Sequence, residues 1–322
     1  MAEKKVTIGV LGAGHVGAHV AFVLGTLGIA DVVKICDPKE AKVVSERQDL
    51  MDAVYFMPHR VDYQISDYAG LADCDIIINA MGDVSLCATG SRDDEMHFTV
   101  RQVADSIPKV MAGGFNGIFI NVTNPCDVVT HLISKLSGFP KGRVFGTGTL
   151  LDSSRLISAI AQQTGIEHHS FNAFMMGEHG DRQMVPWSLV NFRGKPLVQM
   201  EADPRFQFDK EDIRTKTIRA GWVTYSGKFC TEYGICLAAA TLARAVLHDE
   251  RKIYPCSCPL DGEYGEKDIF CGVPALIGKN GVEEVMEYEL PDDEKAEFKA
   301  CCDTVRANIA RAKAFLESGE NA

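Results

Sequence analysis

Three observations predict an α/β fold, a doubly wound parallel sheet followed by an α+β region. Short, nearly continuous apolar runs recur through the first half of the chain, with helical stretches between them. The first run flows directly into a glycine-rich turn and then a helix. After about residue 148 the pattern changes to long helices mixed with strand pairs and turns. The chain is therefore expected to divide into residues 1–147 and 148–322.

The first run, Val6–Leu11 (VTIGVL), suits a parallel strand buried on both faces. It feeds Gly12-Ala13-Gly14-His15-Val16-Gly17, after which AHVAFVLGTLG has helical character. Gly12 permits the tight turn, Gly14 lets the backbone approach a pyrophosphate, and Gly17 lets helix and strand pack closely. The helix N-terminus then offers N–H groups and a positive dipole end to phosphates. A second run, Val32–Cys36, ends in Asp37, twenty residues after Gly17. A carboxylate there accepts from a ribose 2′-OH and repels a 2′-phosphate, which favours NAD over NADP. The same residue also fits a helix N-cap before PKEAKV. Together these features predict a Rossmann arrangement. Its remaining strands are expected at Asp75–Ala80, Gly117–Val122 and Val144–Gly146, with helices around Glu40–Val54 and from Arg92 to Met111. Gly12, Asp37, Gly82 and Asn124 all follow strand ends, where such sheets bind ligands. The last helix is marked by Phe298, Cys302, Val305, Ile309, Ala312 and Leu316, an apolar stripe stepping by four and three.

Hydrophobic content of 46% and charged content of 24% are those of an ordinary globular protein. A net charge of −11 excludes a nucleic-acid partner, because no basic stripe meets a phosphate backbone. It also means that an anionic substrate needs a local arginine. MAEKK leads straight into the first strand, and no apolar run approaches the roughly 18 residues of a membrane span, so no membrane partner is expected. Eleven scattered cysteines then read as reduced thiols in a cytoplasm. The spacing of Cys256, Cys258 and Cys271 fits no usual zinc knuckle, and no metal is expected. Cys302 is expected to pack as a small apolar residue in its helix.

Chemistry concentrates in two segments. Gly177-Glu178-His179-Gly180-Asp181 holds the best catalytic candidate of nine histidines, where the backbone can turn sharply and leave the ring accessible. His168 and His169 sit in a polar stretch, and His15 reads as a local loop residue. Asp152 and Arg155, three apart on a helix, share a face. They fit a simple pair with each other, and they also fit a carboxylate that orients an imidazole beside an arginine that grips a substrate carboxylate.

With GAGHVG, Asp37, a loop ending in GSR, VTNP, GTGTLLDSSR, GEHGD and TEYGI, the chain resembles the L-lactate/malate dehydrogenase family over essentially its whole length, most of all the L-lactate and L-2-hydroxyisocaproate branch. The resemblance implies His179 as general acid and base, Asp152 as its partner and Arg155 as the carboxylate fork. It further implies Arg92 as a mobile arginine polarising the carbonyl as loop 83–93 closes about Gly90. Asn124 would lie near nicotinamide and substrate, after a peptide bond to Pro125 of cis type. Gly82 and Thr147 would line the cofactor site, and Thr231 the substrate pocket. Small 2-oxo and 2-hydroxy acids are the implied partners, with a homodimer or homotetramer as the assembly.

Departures from the family pattern bear on specificity. Six residues before Arg92 stands Leu86, where lactate enzymes carry glutamine and malate enzymes arginine; an apolar side chain disfavours malate. Ala220 and Gly221 match a pair whose small size leaves room. Together they predict a preference for medium or branched apolar side chains, with lactate dehydrogenase proper as the alternative. Ile157 and Asn172 match positions that bind a sugar bisphosphate in many bacterial lactate enzymes; neither supplies a cation, so no such activation is expected. Two rivals of other classes are an NAD-dependent glycosidase, with Cys126 as a metal ligand, and a catalytically silent NAD-binding regulator.

Overall fold

The computed structural model describes residues 4–83, 85–86 and 92–319, the side chains of residues 92 and 93 excepted. Strands β1 (Thr7–Leu11), β2 (Val32–Cys36), β3 (Asp62–Ile65), β4 (Ile76–Asn79), β5 (Ile118–Asn121) and β6 (Val144–Gly146) lie side by side in the order β3-β2-β1-β4-β5-β6. All five pairings are parallel. Helices α1 (His15–Thr26), α2 (Glu40–Ala53), α3 (Arg92–Ala112) and α4 (Cys126–Ser137) make the crossovers. The order reverses between β1 and β4, and a crevice for ligands opens at such a reversal. β1, β4, β5 and β6 are buried at every residue, which is why continuous apolar runs forecast them. β3 was not forecast. Its sequence DYQI occupies the sheet edge and is only half buried, so it carries no apolar run.

Next come α5 (Leu150–Thr164), β7 (Met176–Gly177), β8 (Gln183–Met184), the small hairpin β9 (Asn191–Phe192) and β10 (Lys195–Pro196), α6 (Lys210–Lys228) and α7 (Tyr233–Leu247). The long antiparallel strands β11 (Lys252–Asp261) and β12 (Lys267–Gly278), then β13 (Gly281–Val285) and α8 (Asp292–Ser318), complete the chain. β11 extends the parallel sheet through one registered pair, Ser257 opposite Gly146. Glycine is required at this seam: a Cβ at Gly148 would stand 2.3 Å from the Ser257 backbone nitrogen. One apolar cluster joins β1 and β2 to α7, β11, β12 and α8, so both halves share a core. Phe298, Cys302, Val305 and Ala312 of α8 are buried, with Ile309 and Leu316 packed at the margin. Among the described residues no helix is long and apolar enough to cross a membrane, and no cluster of three potential metal ligands occurs. Cys256, Cys258 and Cys271 are buried free thiols.

Candidate active site

The glycine turn is shaped by contacts that leave no room for side chains. Gly12 has φ +95° and donates its N–H to the Cys36 carbonyl at 2.8 Å. A Cβ there would lie 2.7 Å from the Ala80 carbonyl oxygen, and one at Gly17 only 1.8 Å from that of Gly12. Gly14 differs: a Cβ would meet nothing within 4 Å, projecting in front of α1. Gly14 caps α1 without a side-chain bond, so the first-turn N–H groups face outward, a cradle suited to a pyrophosphate. Asp37 Oδ2 accepts the Ala13 N–H and Oδ1 the Lys39 N–H, both at 2.8 Å. The carboxylate is thereby pinned at the rim of the turn, with lone pairs left for a ribose diol. It is not the cap of α2, whose N-cap is Lys39.

Gly82 is exposed beyond β4, and its Cβ would come 4.0 Å from the Thr123 methyl. Asn124 is exposed at the tip of the next strand's loop, and its bond to Pro125 is cis. Thr147 is buried, its N–H donating to the Asn121 carbonyl at 2.8 Å. Its hydroxyl lies 3.4 Å from the same oxygen, turned into the end of the sheet.

The acid/base set is assembled from separate segments. α5 is latched to the strand ahead of the catalytic turn: Thr149 Oγ1 donates to the Met175 carbonyl and the Met175 N–H to Ser153 Oγ, both at 2.9 Å. Gly177, at φ +98° against Cys301, lets the chain turn so that His179 points back at α5. There the His179 Nδ1–H meets Asp152 Oδ2 at 2.5 Å, and Arg155 donates to Asp152 Oδ1 at 2.9 Å. The Asp152 side chain is 1% exposed, while His179 and Arg155 keep 21% and 17%. Asp152 thus pairs with Arg155 through one oxygen and meets the imidazole with the other.

Burial alone would push the His179 pKa down, but the Asp152 charge and hydrogen bond, helped by Asp127, outweigh it and hold it above the ordinary imidazole value. Burial likewise favours protonated Asp152, yet His179 and Arg155 hold this acid below the usual carboxylate range. The arrangement can keep a proton on an accessible ring nitrogen beside a guanidinium.

The small-residue position is adjacent to this set. A Cβ on Gly221 of α6 would lie 3.4 Å from Arg155 Nη2 and 3.5 Å from Nη1. Thr231 is half buried in the turn between α6 and α7. Leu86 is half buried, its N–H donating to the Asp83 carbonyl at 3.2 Å, but residues 84 and 87–91 around it lie outside the described residues. Arg92 begins α3, and its side chain lies outside them too. His15 starts α1 with Nδ1 3.3 Å from Glu232 of the α6–α7 turn, and His169 is largely exposed. Cys126 is buried against Asn121 and the Gly148 N–H. Two residues escaped sequence reasoning. Asp127 accepts the His179 backbone N–H at 2.9 Å and the Ser257 hydroxyl at 2.6 Å.

Residues 5–146 match the family model of the lactate/malate dehydrogenase NAD-binding domain, and residues 149–316 that of the lactate/malate dehydrogenase alpha/beta C-terminal domain. The chain is 37% identical to L-lactate dehydrogenase of Fusobacterium nucleatum subsp. nucleatum over 96% of its own length and 97% of the relative's. Among solved structures it is similar to the ligand-bound minor L-lactate dehydrogenase of Enterococcus mundtii, with TM-score 0.91, 30% identity and coverage of 96% and 98% of the two chains. It is also similar to malate dehydrogenase from Salinibacter ruber, with TM-score 0.86, 30% identity and coverage of 98% and 100%. The glycine cradle, the pinned Asp37 and these likenesses agree on NAD as the cofactor and on oxidoreduction of a 2-hydroxy acid, and the chain belongs to the lactate/malate dehydrogenase family.

Proposed function

We propose that the enzyme interconverts 2-oxo acids and L-2-hydroxy acids with His179 as its proton donor and acceptor. The observation that carries this reading is the double grip of Asp152, which holds the imidazole with one oxygen and Arg155 with the other. NAD, when bound, supplies the hydride acceptor or donor. In reduction, His179 gives its Nε2 proton to the ketone oxygen while Asp152 stabilises the charged ring and fixes its orientation. Arg155 receives the substrate carboxylate as a fork. Arg92 would polarise the carbonyl, and Asn124 with Gly82 would border the nicotinamide. Reduction needs protonated His179, so kcat/KM for the oxo acid is flat at low pH and falls as pH rises through the raised imidazole pKa; oxidation shows the opposite limb. An unchanged turnover in H179N would overturn this assignment.

The substrate side chain is a finer matter. The absence of a side chain at Gly221, beside Arg155, supports 2-oxo acids larger than pyruvate, such as 4-methyl-2-oxopentanoate. The names of the relatives favour the second reading, lactate itself. The decisive assay is NADH oxidation at pH 6 to 7 with pyruvate, oxaloacetate, 2-oxobutanoate, 4-methyl-2-oxopentanoate and phenylpyruvate. Pyruvate leading every larger acid in kcat/KM overturns the bulky preference. A homo-oligomer is the proposed assembly. α1 and α7 pack together, with the His19 and Tyr233 rings 6.0 Å apart, and leave Phe22, Tyr233 and Leu237 exposed. Light scattering that returns a monomer mass would refute it.

A further inference from the structure

A second carboxylate stands behind the proposed proton donor. Asp127, in the first turn of α4, is 2% exposed although it belongs to the cofactor half of the chain. One of its oxygens takes the His179 backbone N–H and the other the Ser257 hydroxyl. Three segments distant in sequence therefore meet on one side chain: α4, the catalytic turn and β11. A cavity of about 10 Å³, bordered by Asp127, Glu178, His179, Val305 and Asn308, leaves space for about one water there. Asp127 is buried and His179 largely so, and their attraction is therefore screened less than that of a surface pair.

We infer that Asp127 is a positioning residue for the proton donor, fixing the His179 backbone and adding a second negative charge that favours the imidazolium. This rests on reading His179 as the donor. Among the described residues, the charged groups acting on His179 are Asp152 and Arg155 from α5 and Asp127 from α4; Glu178, which accepts from Asn308 of α8, acts on Asp127. Around Asp127 the other titratable groups are thiols: Cys126 on its own helix, Cys258 of β11 and Cys271 of β12. All three stay protonated at neutral pH: burial foremost raises Cys126, to about 12, and Cys258, whereas for Cys271 the Cys302 contact leads and burial follows. Burial raises the Asp127 acid to about 6, the Ser257 and His179 bonds drawing it back, so the carboxylate is charged at neutral pH. Its charge is then in place at neutral pH beside the raised imidazole.

The test is the pH profile of kcat/KM for pyruvate reduction by the full-length enzyme with saturating NADH. In D127N the amide keeps the shape: its oxygen accepts from the His179 N–H and its NH₂ donates to the Ser257 oxygen. The falling limb should move to lower pH by about one unit, so that the loss against wild type grows to about tenfold at high pH. An equal loss at every pH, with no movement of the limb, overturns the inference. S257A guards against a D127N that fails to fold. It retains the carboxylate but weakens its hold on the charge, so the limb should shift the same way by less; an unmoved limb in S257A also overturns it. H179N separates this inference from the reading beneath it. If H179N keeps its turnover, the proton donor itself is misassigned. If H179N is dead while D127N leaves the limb in place, only the role of Asp127 fails.

Discussion

The cofactor turn and the acid/base centre solve opposite problems. The turn is one contiguous segment, built by backbone approach: Gly12 against Ala80 and Gly17 against the Gly12 carbonyl, with Asp37 pinned by two N–H groups. The centre is discontinuous and built from side chains, Asp152 and Arg155 on α5 meeting His179 from the turn after β7. Sterics govern the first and electrostatics the second. Damage to the turn should therefore appear in stability and NADH affinity, and damage to the centre in turnover and its pH dependence.

The largest expected effect tests the second half of that contrast. D152N should lower kcat/KM by about 10²–10⁴-fold, through loss of the charge that supports the imidazolium, while NADH titration gives an affinity close to wild type. A matching loss of NADH affinity would erase the distinction between the two regions. Next come two glycines of one turn. G17A forces a Cβ onto the Gly12 carbonyl and should cost about 1–3 kcal/mol by thermal or urea unfolding. G14A meets no atom, so its stability should change by less than about 1 kcal/mol while NADH affinity drops. Equal unfolding penalties in the two variants would mean that Gly14 serves the fold rather than the cofactor. The smallest effect is at Asp37. D37N keeps both backbone bonds within reach but removes the charge, and the ratio of NADH to NADPH affinity should narrow by about tenfold, the worth of one charge–phosphate repulsion near the surface.

Legibility in the sequence followed the same division. The cofactor turn could be read because its strand, glycines, helix and acid are consecutive, and each glycine's task is local. β3 could not, since an edge strand that is half exposed shows no apolar run. His179, Asp152 and Arg155 are legible as residues of suitable type for an imidazole oriented by a carboxylate beside an arginine, and family resemblance assigns their individual roles. Asp127 left no signal at all. An acid in the first turn of a helix ordinarily complements the helix dipole, and only the folded chain brings it to the His179 backbone and Ser257. Leu86 was readable as an apolar substitution, but whether it faces the substrate depends on a loop whose other members lie outside the described residues.

Asp127 also makes the enzyme's resilience depend on acidity. Its folded pKa of about 6 stands above the ordinary aspartate value of 3.8, so the favourable contribution belongs to the protonated form and disappears as pH climbs through that interval. At neutral pH the molecule carries a charged carboxylate in its interior, an arrangement that opposes folding. D127N escapes that opposition, and its unfolding free energy should gain on wild type by about 1 kcal/mol between pH 5 and pH 8. Heat tolerance and proton supply would then pull this residue in opposite directions.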